Sequence, residues 1–397
     1  MRIGSSHLSY CTNIHPGESW DEIRGNLTRY LPQVKRRVSP AAPFGVGLRL
    51  SAVAARSLSE PDVLAEFAGF LRQHDLYVFT INGFPYGPFH GTRVKEDVYL
   101  PDWREEARLE YTNALADLLA ALLPSGGDHW GSISTVPGAF KLNADSPQSV
   151  AQIADLLIRH VAHLRSLEKR TGRTIVLALE PEPCCLLETV AETVAFFRDH
   201  LYSQRAAATL ASLAGIDVHE AEGALHRHLG ACLDLCHAAV EFEDPADCLD
   251  ALSVAGIPIA KIQVTAGLRI ARVTPDAVAG LQRFDDGVYL HQVVERHMGA
   301  LQRYVDIDAA CASDRWRAGN CEWRVHFHVP VYVEDLEGFS STQPFVRAAL
   351  ALHRQQPRTP HLEVETYTWS VLPAHARDVP IDEAIARELQ WVQRELA

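Results

Sequence analysis

Short apolar runs that end in a polar, chemically capable side chain recur along the chain: Leu-Ala-Leu-Glu180, Cys-Leu-Asp234-Leu-Cys-His237, Lys-Ile-Gln263, Val-His326-Phe-His328 and Leu-Glu363-Val-Glu365. Between them lie stretches with apolar residues at helical spacing, so the pattern predicts strands and helices in alternation, the rhythm of a parallel sheet. The strands predicted are Ile3 to Tyr10, Phe44 to Leu50, Leu76 to Asn82, Trp130 to Thr135, Thr174 to Glu180, Gly230 to Asp234, Ile259 to Val264, Arg324 to Val329 and Leu362 to Thr366. Ser19 is the expected N-cap of the first helix, and a second helix is expected from about Pro61 to His74. A closed parallel barrel takes eight strands, one fewer than this set, so one is a false candidate or an accessory strand. It is expected between Ala266 and Val329, where two short helical patterns and a Cys/Arg-rich loop, Cys311 to Cys321, read as an insertion. The fold class expected is α/β, a single (β/α)8 TIM-barrel domain over residues 1–397, with an insertion at about 266–322 before the last strands that would cap the mouth.

In such a barrel every strand delivers its C-terminal residue to one face, so groups distant in sequence converge on one mouth. Glu180 ends a run apolar enough to be buried on both faces, where a carboxylate is costly unless paired or bound to a cation. A salt bridge at the mouth is the plainer alternative. Asp234 and His237 follow the next strand three residues apart; they are a ligand and its neighbour, or a helix cap and a first-turn histidine. Glu363 and Glu365 share one strand face by alternation, with Glu365 nearer the mouth. His326 and His328 likewise share a face, and Gln263 can ligate only through a weaker amide oxygen. The metal ligands expected are therefore Glu180, Asp234, Glu365 and one of Gln263 or His328, a set suited to Mn²⁺, Co²⁺, Mg²⁺ or Zn²⁺. Glu180 and Glu365 facing each other across a divalent ion are the candidate catalytic acid and base.

Substrate contacts are expected from the early loops and from polar groups beside the ligands. Asn82, Phe84, Tyr86 and His90 lie in a Gly/Pro-punctuated aromatic loop, suited to a lid or a sugar-stacking wall, with His15 in the first polar loop and Lys141 after the fourth strand. Glu182, His237, His326 and Trp369 complete the candidate set, and Arg93 and Lys95 are candidates for an anionic group.

Composition narrows the partners. The 397 residues are 47% hydrophobic, enough for one large core, and 37 Lys and Arg against 50 Asp and Glu give a net charge of −13. That balance disfavours a nucleic-acid partner and favours a small molecule. Eight cysteines occur without a Cys-x-x-Cys pair, which points to reduced thiols in the cytoplasm. No secretory signal and no uncharged apolar run of membrane-spanning length is visible.

The set Glu180, Asp234-x-x-His237, Gln263 and Glu365 resembles the xylose isomerase-like barrel superfamily, which includes sugar isomerases, epimerases and endonuclease IV enzymes. The superfamily pattern is Glu, Asp-x-x-His, His and Glu; here the third position reads Gln263, unless a histidine of Val-His326-Phe-His328 takes that role. Leu8 to Glu18, Asn82 to His90, Val98 to Trp103, Phe327 to Val331 and Glu363 to Trp369 resemble the metabolite traffic protein EboE family across nearly the whole chain. The resemblance implies a metal-dependent barrel in a pathway that makes or exports a small metabolite, and dimers are common among such barrels. The function expected is a metal-dependent isomerase or epimerase acting on a sugar, cyclitol or related polyhydroxylated metabolite. The rivals are a non-catalytic carrier and an endonuclease IV-like phosphoesterase.

Overall fold

A computed structural model describes all residues except 91–92, 125–129, 145, 286, 337 and 369–378. Eight parallel strands form the barrel: Ser6–Tyr10, Phe44–Arg49, Leu76–Asn82, Gly131–Thr135, Ile175–Leu179, Leu229–Asp234, Ile259–Val264 and His361–Val364. The sheet closes between the first and second strands through a parallel bridge from Cys11 to Gly47, and Arg2–Ile3 adds a short antiparallel pairing to the first strand. A Cβ on Gly47 would overlap the Glu363 carboxylate and lie 2.8 Å from the Tyr10 carbonyl oxygen, so only glycine lets the two edges meet here.

Helices cover the outside. Ser19 caps the helix Trp20–Val38, with Glu22 returning the bond in a capping box, so the entry of the first helix is fixed by local chemistry. Pro61–Gln73, Glu106–Leu122, Pro147–Thr171 and Ile381–Leu396 are among the helices that bury their apolar stripes against the strands. Among the described residues, no helix is long and apolar enough to cross a membrane. All eight cysteines are free.

The segment after the seventh barrel strand corrects the sequence reading in three ways. It is chiefly an antiparallel sheet of six strands, in the order Ala300–Tyr304, Val293–His297, Cys321–Val329, Ala266–Ile270, Phe339–Ser341 and Asp335–Leu336. Only short helices, Pro275–Leu281 and Ile307–Ala312, interrupt it. It runs to Ser341 rather than ending at 322, and one barrel strand follows it rather than several. The predicted strand Arg324 to Val329 belongs to this sheet, and its alternation reflects a two-faced antiparallel strand rather than a barrel wall. Its register against Ala266–Ile270 slips between Val325 and Val329, the stretch that carries His326 and His328. A bulge of this kind re-aims side chains, here toward the barrel mouth.

Candidate metal centre

Glu180 lies one residue beyond the fifth strand, where Pro181 ends pairing, and its backbone N–H donates to the Thr135 carbonyl at 3.1 Å. Asp234 ends the sixth strand, and its Oδ1 accepts from the backbone N–H groups of Cys236 (2.6 Å) and His237 (3.1 Å). It therefore caps the helix Leu235–Val240 with one oxygen and keeps the other for the site. Glu365 follows the eighth strand and is held on both sides: Asn13 and Asn82 donate to Oε1 at 2.6 and 2.8 Å, and the Gln263 amide donates to Oε2. The ligand oxygens of Glu180, Asp234 and Glu365 lie within 4.8 Å of one another. All three residues are buried, at 3%, 1% and 4% exposure, and Glu180 Oε2 and Asp234 Oδ2 have no hydrogen-bond partner among the described residues.

Such crowding has an electrostatic consequence. Burial, then the Glu365 and Asp234 charges, push the Glu180 carboxyl well above its ordinary value. Burial, then Asp234 and Glu363, do the same to Glu365, and burial raises Asp234. Carboxylates at this spacing stay ionised together only with a positive charge between them.

Three histidines face the acids. His237 Nδ1 donates to the Pro181 carbonyl at 2.9 Å, His326 Nδ1 to Gln292 Oε1 at 2.7 Å, and His328 Nδ1 to the Glu365 carbonyl at 2.7 Å. Burial holds all three rings below the usual imidazole range, His237 at about 3 and His328 at about 4, so they are neutral at physiological pH. With the proton fixed on Nδ1, each ring turns a bare Nε2 into the site. The ligand atoms of Asp234, His237 and His328 form one close group, those of Glu182, His237 and His326 a second, and those of Cys236, His326 and His328 a third. Glu182 accepts from the Tyr99 hydroxyl at 2.7 Å, and burial pushes its carboxyl up to about 8.

Of the two candidates for the fourth ligand, Gln263 has its amide oxygen taken by the Cys232 thiol at 3.0 Å and its nitrogen by Glu365. His328 has its Nε2 turned to Asp234 and His237. Below this layer Lys261 is fully buried against Glu363 inside the barrel.

The cavity above is lined by Glu180, Glu182, His237, His326, His328 and Glu365 at its base and by Phe84, Pro85, Phe89, Tyr99, Tyr289 and Tyr367 on its walls. The insertion thus contributes Tyr289, Leu290, His326 and His328 to the lining. Phe84 is on the wall as expected of a stacking residue, whereas Asn82 reaches the site by holding Glu365. Three other candidates point elsewhere: His15 stacks on Tyr30 with ring centroids 4.3 Å apart, Tyr86 packs edge-on against Tyr111, and Lys141 pairs with Glu188. Trp369 lies outside the described residues. Lys95 lines the cavity but is paired with Asp306 at 2.6 Å and Asp285 at 3.6 Å. Asn13, Tyr99 and Gln292 were not singled out from the sequence. Asn13 is a polar residue just past an apolar strand, a signal that was available; Gln292 precedes a strand of the insertion whose position no barrel rhythm predicts.

No family model matches the chain, and no curated protein matches it. Solved structures do. A xylose isomerase-like TIM barrel protein from Mycobacterium smegmatis, in complex with magnesium, is similar at a TM-score of 0.51 and 14% identity, over 100% of this chain and 98% of that one. The probable 3-DHS dehydratase AsbF from Bacillus anthracis, involved in petrobactin synthesis, is similar at 0.44 and 13% identity, over 97% of each chain. A xylose isomerase domain protein from Alicyclobacillus acidocaldarius gives 0.44 and 14%, over 98% of this chain and 96% of that one. The chain has the α/β fold of xylose isomerase-like TIM barrels.

Proposed function

We propose that this barrel is a metal-dependent isomerase or epimerase of a small polyhydroxylated metabolite, a sugar or cyclitol. The observation that carries the reading is the convergence of Glu180, Asp234 and Glu365, with Glu180 Oε2 and Asp234 Oδ2 buried and unpartnered. Carboxylate oxygens with a bare imidazole Nε2 fit a hard or borderline divalent cation, so Glu180, Asp234, Glu365 and His328 are the residues that would hold it. Bound there, a cation would supply Lewis-acid polarisation of adjacent substrate oxygens and make the neighbouring C–H more acidic.

The chain's own groups do the rest. Glu180 and Glu365 are the pair that takes a proton from carbon and returns it. Asn13, Asn82 and Gln263 fix the Glu365 carboxylate, so in this reading Gln263 positions an acid instead of ligating. The aromatic walls exclude water and offer stacking surface to the ring of a substrate. The motifs from Asn82 to His90 and from Glu363 to Trp369 support placing the chain with the metabolite traffic protein EboE family, and its eight free thiols suit the cytoplasm. A phosphoester substrate is less well served, because Lys95 is the only lysine or arginine lining the cavity among the described residues and two aspartates engage it.

The test is elemental analysis of protein purified without chelators, against an Asp234→Ala, Glu365→Ala double variant. Divalent metal in the wild type that is lost in the variant is expected, followed by solvent-deuterium incorporation at carbon in a sugar or cyclitol screen. No metal, even after reconstitution with Mn²⁺, Co²⁺ and Zn²⁺, would overturn the reading in favour of a metabolite carrier.

A further inference from the structure

We infer that one face of the inserted sheet, outside the cavity, binds a phosphate group through Arg269, Arg296 and Arg324, which gather around Glu322. None of these four residues lines the cavity. Strand pairing brings them together: Arg324 lies directly opposite Arg269, and on the next row of the same face Glu322 lies directly opposite Arg296. Like charges directly opposite each other destabilise a sheet, so the Arg324 and Arg269 pair calls for negative charge beside it. Glu322 supplies one such charge. Its Oε1 accepts from Arg269 Nε at 2.8 Å and Arg324 Nε at 3.1 Å, and its Oε2 from Arg296 Nη2 at 2.8 Å. One carboxylate among three guanidiniums leaves two positive charges over, in a chain whose net charge is −13.

The neighbouring charges do not remove that excess. Arg303, on the same face, has Glu241 and Glu188 beside it, the opposite ratio of acid to base. Asp335 lies two strands beyond Arg269 through Ser340, and among the described residues it pairs with none of the three. Burial first, with Arg296 and Arg269 adding to it against Glu322, holds the Arg324 guanidinium below its ordinary value. The guanidiniums are also fixed with donors to spare. Arg324 Nη1 donates to the Ala239 carbonyl at 2.6 Å, and the guanidinium carbons of Arg324 and Arg296 lie 4.1 and 4.4 Å from the centroid of the Phe242 ring. Arg269 and Arg296 give Glu322 one nitrogen each, and their other nitrogens have no acceptor among the described residues. The side chains of these two are 38% and 43% exposed, against 16% for Arg324 and 11% for Glu322, so the inner pair is the base and the outer pair offers its free edges to solvent. Planar guanidinium forks match the oxygens of a phosphate. A phosphate dianion equals the excess of two charges, whereas a single carboxylate balances only one. The inference does not depend on the cation proposed at the mouth.

The test is calorimetric titration of inorganic phosphate into the full chain, as wild type, as an Arg269→Gln, Arg296→Gln double variant and as the Asp234→Ala, Glu365→Ala double variant. Binding of about one phosphate per chain is expected in the wild type, roughly tenfold weaker or more in the arginine variant and unchanged in the mouth variant. In the wild type, phosphate should also protect Arg269 and Arg296 from phenylglyoxal, read residue by residue by mass spectrometry, and leave the exposed Arg317 unprotected. Binding lost in the mouth variant and kept in the arginine variant would assign the phosphate to the metal centre and overturn the inference. The absence of saturable binding and of protection overturns it as well, leaving the arginines as a fastening of the sheet to Phe242 and Ala239. So does a hexaglutamate peptide that binds where phosphate does not, which would make this face a dock for an acidic protein. Methyl phosphate separates two sources of the same chemistry: binding as tight as that of phosphate identifies a phosphate ester, binding of the inorganic ion alone identifies free phosphate, and either upholds the site. Should the arginine variant fail to fold, the protection pattern of the wild type decides.

Discussion

At the scale of single residues, the site is organised by groups that hold its acids and bases in one state. Three amide nitrogens, from Asn13, Asn82 and Gln263, aim at Glu365, which as a carboxylate can accept from all of them. A glutamine in its place keeps the shape but must turn an NH₂ toward at least one of those donors. Glu365→Gln is therefore expected to cost about 1–3 kcal/mol of stability in a denaturant titration and to weaken divalent-ion binding by roughly tenfold or more in calorimetry. Unchanged ion affinity would remove Glu365 from the ligand set. Gln292 makes the same point one shell out. Gln292→Leu takes away the 2.7 Å acceptor of the His326 Nδ1–H, and a loss of about 1–3 kcal/mol of stability is expected in a denaturant titration. The acids of this site were visible in the sequence because a carboxylate at the end of an apolar strand demands an explanation. Gln292 was not, because a lone glutamine carries no such demand until a histidine is seen behind it.

At the scale of elements, what could be read in advance followed how local the cause is. Ser19 with Glu22 is a capping box within one turn, and Pro181 stops its strand by lacking a donor, so both boundaries are written in a few adjacent residues. The inserted sheet is different. Val293–His297 is buried at its first three residues without alternation, Ala300–Tyr304 is exposed or half-buried throughout, and among the described residues they pair with each other and with Cys321–Val329, so their periodicity is weak and their partners are remote. The surplus strand lies between Ala266 and Val329 as expected, but the insertion was ended at 322, before it, because Arg324 to Val329 alternates as cleanly as a barrel edge. Lys261 went unremarked although a charge in the middle of Ile259–Val264 signals an inward-facing ion pair, here with Glu363. Two glycines give opposite tests of these elements. Gly47→Ala would drive a methyl into Glu363 and the Tyr10 carbonyl at the barrel closure, and a loss of at least about 2 kcal/mol is expected. Gly25 sits exposed inside the helix Trp20–Val38 with nothing within 4 Å of an added Cβ, so Gly25→Ala should stabilise by about 0.5–1 kcal/mol. Denaturant midpoints of equal sign for the two variants would contradict this picture of where the barrel closes.

At the scale of the whole molecule, the buried charges make stability a function of pH and of cation together. Buried carboxyls have raised values in the fold, Glu182 at about 8 and Glu388 at about 7, against 4.5 as their reference. The native state therefore keeps protons that the unfolded chain has released, and stability falls as pH rises through each interval. The histidines act in the opposite sense. His237 at about 3 and His328 at about 4, against 6.5, stay neutral where the unfolded chain would be charged, so their contribution rises with pH up to about 6.5. Below that point the two trends oppose each other; between pH 6.5 and 8 the buried Met1 amine, lowered from 8.0 to about 5, still works against the several raised carboxyls, and the metal-free protein should lose thermal stability across that window. A cation reverses the sign for the site acids, because it binds their ionised form and stabilises the native state in proportion to its affinity. The rise in Tm on adding excess Co²⁺ should therefore be larger at pH 8 than at pH 5.5. Glu388 separates this from simple burial, since it bonds Thr366 and the Val331 N–H under the C-terminal helix, away from the ligand set. Glu388→Gln should gain stability relative to wild type as pH rises from 4.5 to 7, reaching about 3 kcal/mol at roughly 1.4 kcal/mol per unit, and leave the Co²⁺-induced rise unchanged. A Co²⁺ effect that does not grow with pH would mean that the buried acids are not where the cation binds.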